Sequence, residues 1–261
     1  MKKQSLDDLI DRAADLIINA RRIVVFTGAG ISTESGIPDF RSPGGIWERF
    51  DPDDFTYQKF VSDPRSRRKQ WQMLKDGELT AKAKPNPAHY AIAELDRLDK
   101  LDCVITQNVD NLHQQGGVPD SKVFELHGNM QWAVCLSCGQ RHPLEQIKIR
   151  LDEGEEIPDC EVCHGILKPD AVFFGEPLPE EVLEEAARRS SNCDLFIVIG
   201  SSLVVYPAAY MPLYAADSGA KLVIINLSPT SMDKRATVVI RAKAGEIMFK
   251  IVQRVKERVR V

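Results

Sequence analysis

Two periods of apolar residues alternate along most of this chain. Leu6, Leu9, Ile10, Ala13, Leu16 and Ile17 recur at helical spacing and predict an amphipathic helix. Ile23, Val24, Val25 and Phe26 follow as an unbroken, mostly β-branched run of the kind that forms a strand buried on both faces. The alternation returns downstream. Asn86 and Pro87 supply a cap and a first-turn proline for a helix running to about Leu98, and Cys103 to Thr106 is the next apolar strand. Val123 to Leu126 is another. Glu180, Glu181, Glu184 and Glu185 precede Arg188 and Arg189 in the order that a helix dipole favours, ahead of the strand Leu195 to Ile199, and Lys221 to Asn226 closes the series. Strands separated by helices imply a parallel sheet covered on both faces, an α/β, Rossmann-like doubly wound fold with ligands at the carboxyl ends of its strands.

Two stretches break the pattern. Residues 42 to 85 read as a helical insertion and residues 128 to 170 carry paired cysteines. The large part is therefore expected from about 1–41, 86–127 and 171–261, with both insertions packed as a small lobe of a single domain spanning 1–261, and the cleft between them is the expected site. A hydrophobic content of 43% in 261 residues suffices for one sizeable core plus such a module. The 34 basic residues against 38 acidic ones leave a net charge of -4, with no global basic field for nucleic acid or an anionic membrane. Asp7, Asp8, Asp11 and Asp15 interrupt the first apolar stretch, so it does not read as a signal peptide, and no apolar run approaches membrane-spanning length. A cytoplasmic location is the expectation.

Candidate chemistry begins directly after the first strand. The run Gly28-Ala29-Gly30-Ile31-Ser32-Thr33-Glu34-Ser35-Gly36-Ile37-Pro38-Asp39-Phe40-Arg41 opens like a dinucleotide loop, whose glycines let backbone approach a pyrophosphate and whose next helical turn offers free amides. It then departs from one. Thr33 stands at the third glycine position, and Gly36 and Pro38 should stop the helix within about two turns. Residues 42 to 54 are rich in Gly, Pro and Asp, so no second strand ends in the acid that clamps a ribose in dehydrogenases. Hydride transfer is thereby disfavoured. The loop presents Asp39, Phe40 and Arg41 beside the phosphates instead.

Four of the six cysteines form two Cys-x-x-Cys pairs, Cys135 with Cys138 and Cys160 with Cys163, which can surround one zinc ion tetrahedrally. Four thiolates leave no open position for water, so the ion should be structural. His142 and His164 are near enough in sequence to compete as ligands in a mixed site. Between Asn129 and Lys168 four basic residues stand against seven acidic ones, which disfavours a phosphate-binding zinc ribbon. Gln107, Asn108 and Asp110 follow a strand end, and His127 ends another, suited to base catalysis by its near-neutral pKa. By residue type alone, such polar groups are more often loop hydrogen-bonders, and a lone histidine is more often a satisfied structural residue. His89 and His113 read as structural.

The run from Gly28 to Arg41 resembles the signature of the sirtuins, NAD-dependent protein lysine deacylases, and further matches extend the resemblance over nearly the whole chain: Thr106-Gln107-Asn108-Val109-Asp110, His127-Gly128, the cysteine pairs, Phe174-Gly175-Glu176, Gly200-Ser201-Ser202-Leu203 and Asn226. The resemblance implies NAD as co-substrate at Gly28, Ala29, Gly30, Thr33, Phe40, Arg41, Gln107, Asn108, Val109, Asp110, Gly200, Ser201, Ser202 and Asn226, with Lys243 and Ala244 at the adenine. Gln107 and Asn108 would contact the nicotinamide ribose and Asp110 the carboxamide, while Phe40 shields the sugar and Arg41 meets phosphate or orders the loop. Asn108 would also help to order a water. Val172, Phe174, Gly175 and Glu176 on one side, and Val205 and Tyr206 on the other, would receive an acetylated lysine polypeptide as an added strand.

The implied reaction releases nicotinamide and O-acetyl-ADP-ribose. The acyl oxygen attacks the anomeric carbon, nicotinamide leaves, and His127 removes a ribose hydroxyl proton so that this oxygen attacks the amidate carbon. Water then frees the lysine. Sirtuins that favour succinyl or malonyl groups carry a tyrosine and an arginine three residues apart, where this chain aligns Trp71 and Leu74, so short neutral acyl groups are expected. Arg67 and Arg68 would matter only in a shifted helix register. Mono-ADP-ribosyl transfer at the same NAD site and a non-catalytic NAD-sensing zinc protein are the rival readings, and the intact set Asn108, Asp110 and His127 disfavours both.

Overall fold

A computed structural model describes residues 5–77 and 83–259, so the end of the expected helical insertion, 78–82, lies outside the described residues. Nine strands are seen among the described residues: β1 (Ile23–Thr27), β2 (Leu101–Thr106), β3 (Val123–Glu125), β4 (Gly128–Cys135), β5 (Arg141–Pro143), β6 (Leu167–Ala171), β7 (Leu195–Ile199), β8 (Lys221–Ile225) and β9 (Val238–Ile240). Six of them make one parallel sheet in the order β3-β2-β1-β7-β8-β9. The others form an antiparallel sheet, β5-β4-β6.

The fully apolar strands are explained by what covers them. Alternate residues Ile23, Val25, Ile197, Ile199, Val223 and Ile225 pack against the helices Leu6–Asn19, Pro87–Arg97 and Ala244–Val259. Val24, Phe26, Phe196, Val198, Leu222 and Ile224 fill the other face beneath Glu180–Asn192 and Met211–Asp217. Every residue of β1 and β7 is therefore buried, and each such Val, Ile or Phe contributes roughly 1.5–3 kcal/mol by leaving water. The expected helix at Asn86 runs from Pro87 to Arg97, with the Asn86 side chain accepting from the Ala88 N–H.

After β1 the structure differs from the expectation of a short helix. Two separate 3₁₀ turns, Ala29–Ile31 and Thr33–Ser35, replace it, and Gly36 leaves the second with φ +90°. Ser32 bridges the two turns and is buried. A third core lies outside the large sheet: Trp71 and Leu74 of the helix Pro64–Lys75 pack against Met130, Ala133, Leu144, Ile147 and Leu167. The helical insertion thus packs on the cysteine-bearing sheet.

Candidate active site

The sheet changes winding direction between β1 and β7, the place at which an open α/β sheet offers a crevice to a ligand. Glycine is required there on both sides. The Gly28 N–H donates to Ile199 O at 3.2 Å and the Gly30 N–H to Gly200 O at 2.8 Å, so the two loops touch backbone to backbone. A Cβ on Gly30 would sit 2.8 Å from Gly200 Cα, and one on Gly200, which has φ +63°, would collide with the Ile31 amide. Thr33 keeps its hydroxyl on Gly30 O at 3.1 Å.

Side chains from three strand ends converge beside this contact. Asn108 Nδ2 donates to Ser32 Oγ at 3.1 Å, and Ser32 Oγ donates to Asp110 Oδ2 at 2.7 Å. The Leu112 N–H holds the other oxygen of Asp110 at 3.0 Å. Burial pushes the Asp110 carboxyl above its ordinary pKa, and these hydrogen bonds only partly offset it. Gln107 joins β2 to β7, since its Oε1 accepts from Ser201 Oγ at 2.7 Å. Ser202 stands beside Ser201 and is half-buried, and the Val109 carbonyl accepts from the Met130 N–H at 2.9 Å, tying this motif to the smaller sheet.

His127 enters through a sharp backbone exit. Gly128 has φ +80°, and any side chain on it would strike Asp170 O. The His127 Nδ1 lies 2.9 Å from Gln107 O, an acceptor, so Nδ1 carries the proton and Nε2 keeps its lone pair. Burial lowers the His127 pKa, and the Gln107 carbonyl offsets only part of that. His89 and His113 are buried, with His113 Nε2 2.8 Å from Thr27 Oγ1.

An aromatic cluster links the loop to the opposite wall: Phe40 lies 5.1 Å from Trp47, and Trp47 lies 5.8 Å from Phe174, centroid to centroid. Arg41 is exposed, and its guanidinium makes no hydrogen bond or ion pair among the described residues. On that wall the Val172 N–H donates to His127 O, while Phe174 is bonded at its N–H to Phe55 O and at its C=O to the Tyr57 N–H. The Glu176 carboxylate is turned inward to Lys168 and the Phe173 N–H. Gly175 is exposed on that side, with φ +82°. On the facing segment the Val205 carbonyl caps Ala209, while Tyr206 is exposed.

Beyond β8, Asn226 Nδ2 donates to Ser228 O at 2.8 Å. The exposed Lys243 and buried Ala244 open the last helix, whose Gly245 N–H donates to Glu34 at 2.7 Å and so joins that helix to the loop after β1.

Cys135, Cys138, Cys160 and Cys163 bring their sulfurs within 4.8 Å of one another. Cys135 and Cys163 are 3.5 Å apart and Cys138 and Cys160 3.8 Å, close to the ~3.8 Å edge of a tetrahedron with metal–sulfur bonds of about 2.3 Å. This donor set fits a metal ion. His142 Nε2 lies 3.4 Å from the Cys160 sulfur as a hydrogen-bonding neighbour, whereas the ring of His164 is exposed and 3.8 Å from Asp159.

The Sir2 family model matches residues 28–207, from the first glycine of the crevice to the end of the facing segment. The chain belongs to the Sir2 family. It is 47% identical over 251 residues to the NAD-dependent protein deacetylase 1 of Pyrobaculum aerophilum, covering 95% of this chain and 96% of that one. With the NAD-dependent protein deacylase 2 of Archaeoglobus fulgidus the identity is 45%, over 96% and 98% of the two chains. A solved Sir2 variant holding a deacetylated p53 peptide and 3′-O-acetyl ADP-ribose superposes with a TM-score of 0.85 at 40% identity, covering 95% and 98%. Among the described residues of this Sir2 protein, no helix is long and apolar enough to cross a membrane.

Three residues of this Sir2 site carry structure that residue type did not reveal. Ser32 joins Asn108 to Asp110, Glu34 joins the loop to the last helix, and Asn86 Nδ2 reaches Ile31 O at 2.7 Å and Ser35 Oγ at 3.0 Å. Ser32 was visible inside the signature. The other two depend on contacts between distant segments. Trp71 and Leu74 are closed into the lobe core, where Val109 packs against them, and neither nearby arginine points in: Arg67 binds Phe60 O and Val61 O, and Arg68 pairs with Glu156.

Proposed function

We propose that this chain removes acetyl groups from lysine side chains of proteins, consuming NAD and releasing nicotinamide and O-acetyl-ADP-ribose. The observation that carries this reading is His127, whose Nδ1–H is bound to Gln107 O so that Nε2 keeps the lone pair of a base. The names of the relatives from Pyrobaculum and Archaeoglobus support it. Gly28, Ala29, Gly30, Thr33, Gly200, Ser201 and Ser202 line the crevice where the diphosphate would lie, with the free guanidinium of Arg41 as its cation. Asp110, steadied by Ser32, would hold the nicotinamide carboxamide, and Gln107 and Asn108 the ribose. Val109 fixes the motif to the lobe. Asn226, Lys243 and Ala244 would meet the adenosine end.

His127 Nε2 would take the ribose hydroxyl proton while Asn108 orders a water, and Phe40, braced on Trp47, would keep bulk water from the cationic sugar. The substrate main chain would pair with Gly175 and the Val205–Tyr206 segment, with Phe174 presenting its exposed ring to the acyl-lysine and Val172 and Glu176 bracing the wall. The cysteines would hold one structural zinc in a small lobe built from about 42–85 and 128–170 of a single catalytic domain. The test is nicotinamide release. It should require the acetylated peptide, and equal release with a non-acetylated peptide would favour NAD hydrolysis or ADP-ribosyl transfer.

A further inference from the structure

Three tyrosines stand in file, beginning at Tyr206 of the proposed peptide site. The Tyr206 and Tyr210 rings are 4.7 Å apart, and Tyr210 and Tyr214 6.1 Å with planes only 27° from parallel. They are 57%, 41% and 37% exposed. Spaced by four residues, they share one face of the turn and helix that carry them, while Ala208, Met211 and Ala215 bury the opposite face against the sheet. Their hydroxyls bond nothing among the described residues. Nothing in the core or in the cleft explains this arrangement.

We propose that the tyrosine ladder extends the peptide site and holds large apolar or proline side chains of the substrate polypeptide beyond the acylated lysine. The inference rests on the reading of Val205 and Tyr206 as substrate-binding, because Tyr206 is both the end of that segment and the first rung of the ladder. An extended chain leaving the cleft carries same-face side chains about 7 Å apart, so two successive ones can both rest on the three rings, which stand 4.7 and 6.1 Å from one another. Pre-stacked aromatic rings lose little side-chain freedom on binding, and their hydroxyls can reach a passing backbone. The ladder carries no charge, so it selects by shape and apolarity.

The test compares kcat/KM for a short acetyl-lysine peptide and for long peptides flanked by Phe and Pro or by Ser, using the native protein and the double variant Tyr210→Ser/Tyr214→Ser. The native protein should favour the Phe/Pro-flanked peptide about tenfold, chiefly through KM, and the variant should lose that preference while turning over the short peptide normally. A preference that survives in the variant would overturn the proposal. So would an equal loss on the short peptide, or a native dimer, seen by sedimentation, that the substitutions dissociate. No turnover of the short peptide by either protein would instead overturn the deacetylase reading, and this inference with it.

Discussion

His127 is oriented by the backbone carbonyl of Gln107, 2.9 Å from its Nδ1, rather than by an acid. A carboxylate partner would raise the imidazole pKa, whereas burial here lowers it below the ordinary 6.5. The base form of His127 therefore persists below pH 6.5, and the acid limb of kcat/KM for deacetylation should fall below that value. His127→Ala should abolish deacetylation but leave nicotinamide exchange into NAD, since nicotinamide departs before the proton transfer. An acid limb above 6.5, or full deacetylation by the variant, would remove His127 from this role.

Ser32→Ala tests the link between Asn108 and Asp110. The substitution strips Asp110 Oδ2 of its hydroxyl donor in a buried place, which should raise the carboxyl pKa further. Leaving a buried acceptor unsatisfied costs about 1–3 kcal/mol, so nicotinamide exchange should fall roughly 5- to 150-fold. The same cost falls on the folded protein, so its melting temperature should drop by several degrees. Unchanged exchange kinetics would place Asp110 outside the nicotinamide site.

The strands of the large sheet were legible because both of their faces are covered, which writes unbroken apolar runs such as Ile23 to Phe26 into the sequence. Cys135, Cys138, Cys160 and Cys163 were legible because their spacing is itself the ligand geometry. The loop after β1 was misjudged as a single helical start, since its conformation is set by Ser32 bonding Asp110 from seventy-eight positions away. No local periodicity records such a contact. The main-chain pairing at Phe174 likewise depends on Phe55 and Tyr57 of a distant segment.

Removing the metal should loosen the smaller lobe. The thiols of Cys135 and Cys160 are buried in the same core as Trp71, Leu74 and Met130, so separating the four sulfurs disturbs that packing. Cys135→Ala, or prolonged chelation, should lower zinc content and melting temperature together and reduce turnover, because Val109 packs on that core. Fully folded, active protein without zinc would contradict this.

Acyl preference follows from what surrounds Trp71 and Leu74. Both are buried in the lobe core, and Arg67 and Arg68 are bound elsewhere, so neither arginine is placed beside them to meet an acyl carboxylate. Desolvating that carboxylate costs several kcal/mol, and each 1.4 kcal/mol is about tenfold, so acetyl-lysine should exceed succinyl-lysine in kcat/KM by more than tenfold on one peptide. Equal efficiencies would show that the pocket lies elsewhere.

Mass spectrometry of the products from NAD and one acetyl-lysine peptide bears most directly on the proposed reaction. Each acetyl group lost from the peptide should appear on ADP-ribose, with one nicotinamide released and the free-lysine peptide recovered. An unchanged acetyl peptide beside protein or peptide carrying ADP-ribose, or free acetate with NAD intact, would contradict it.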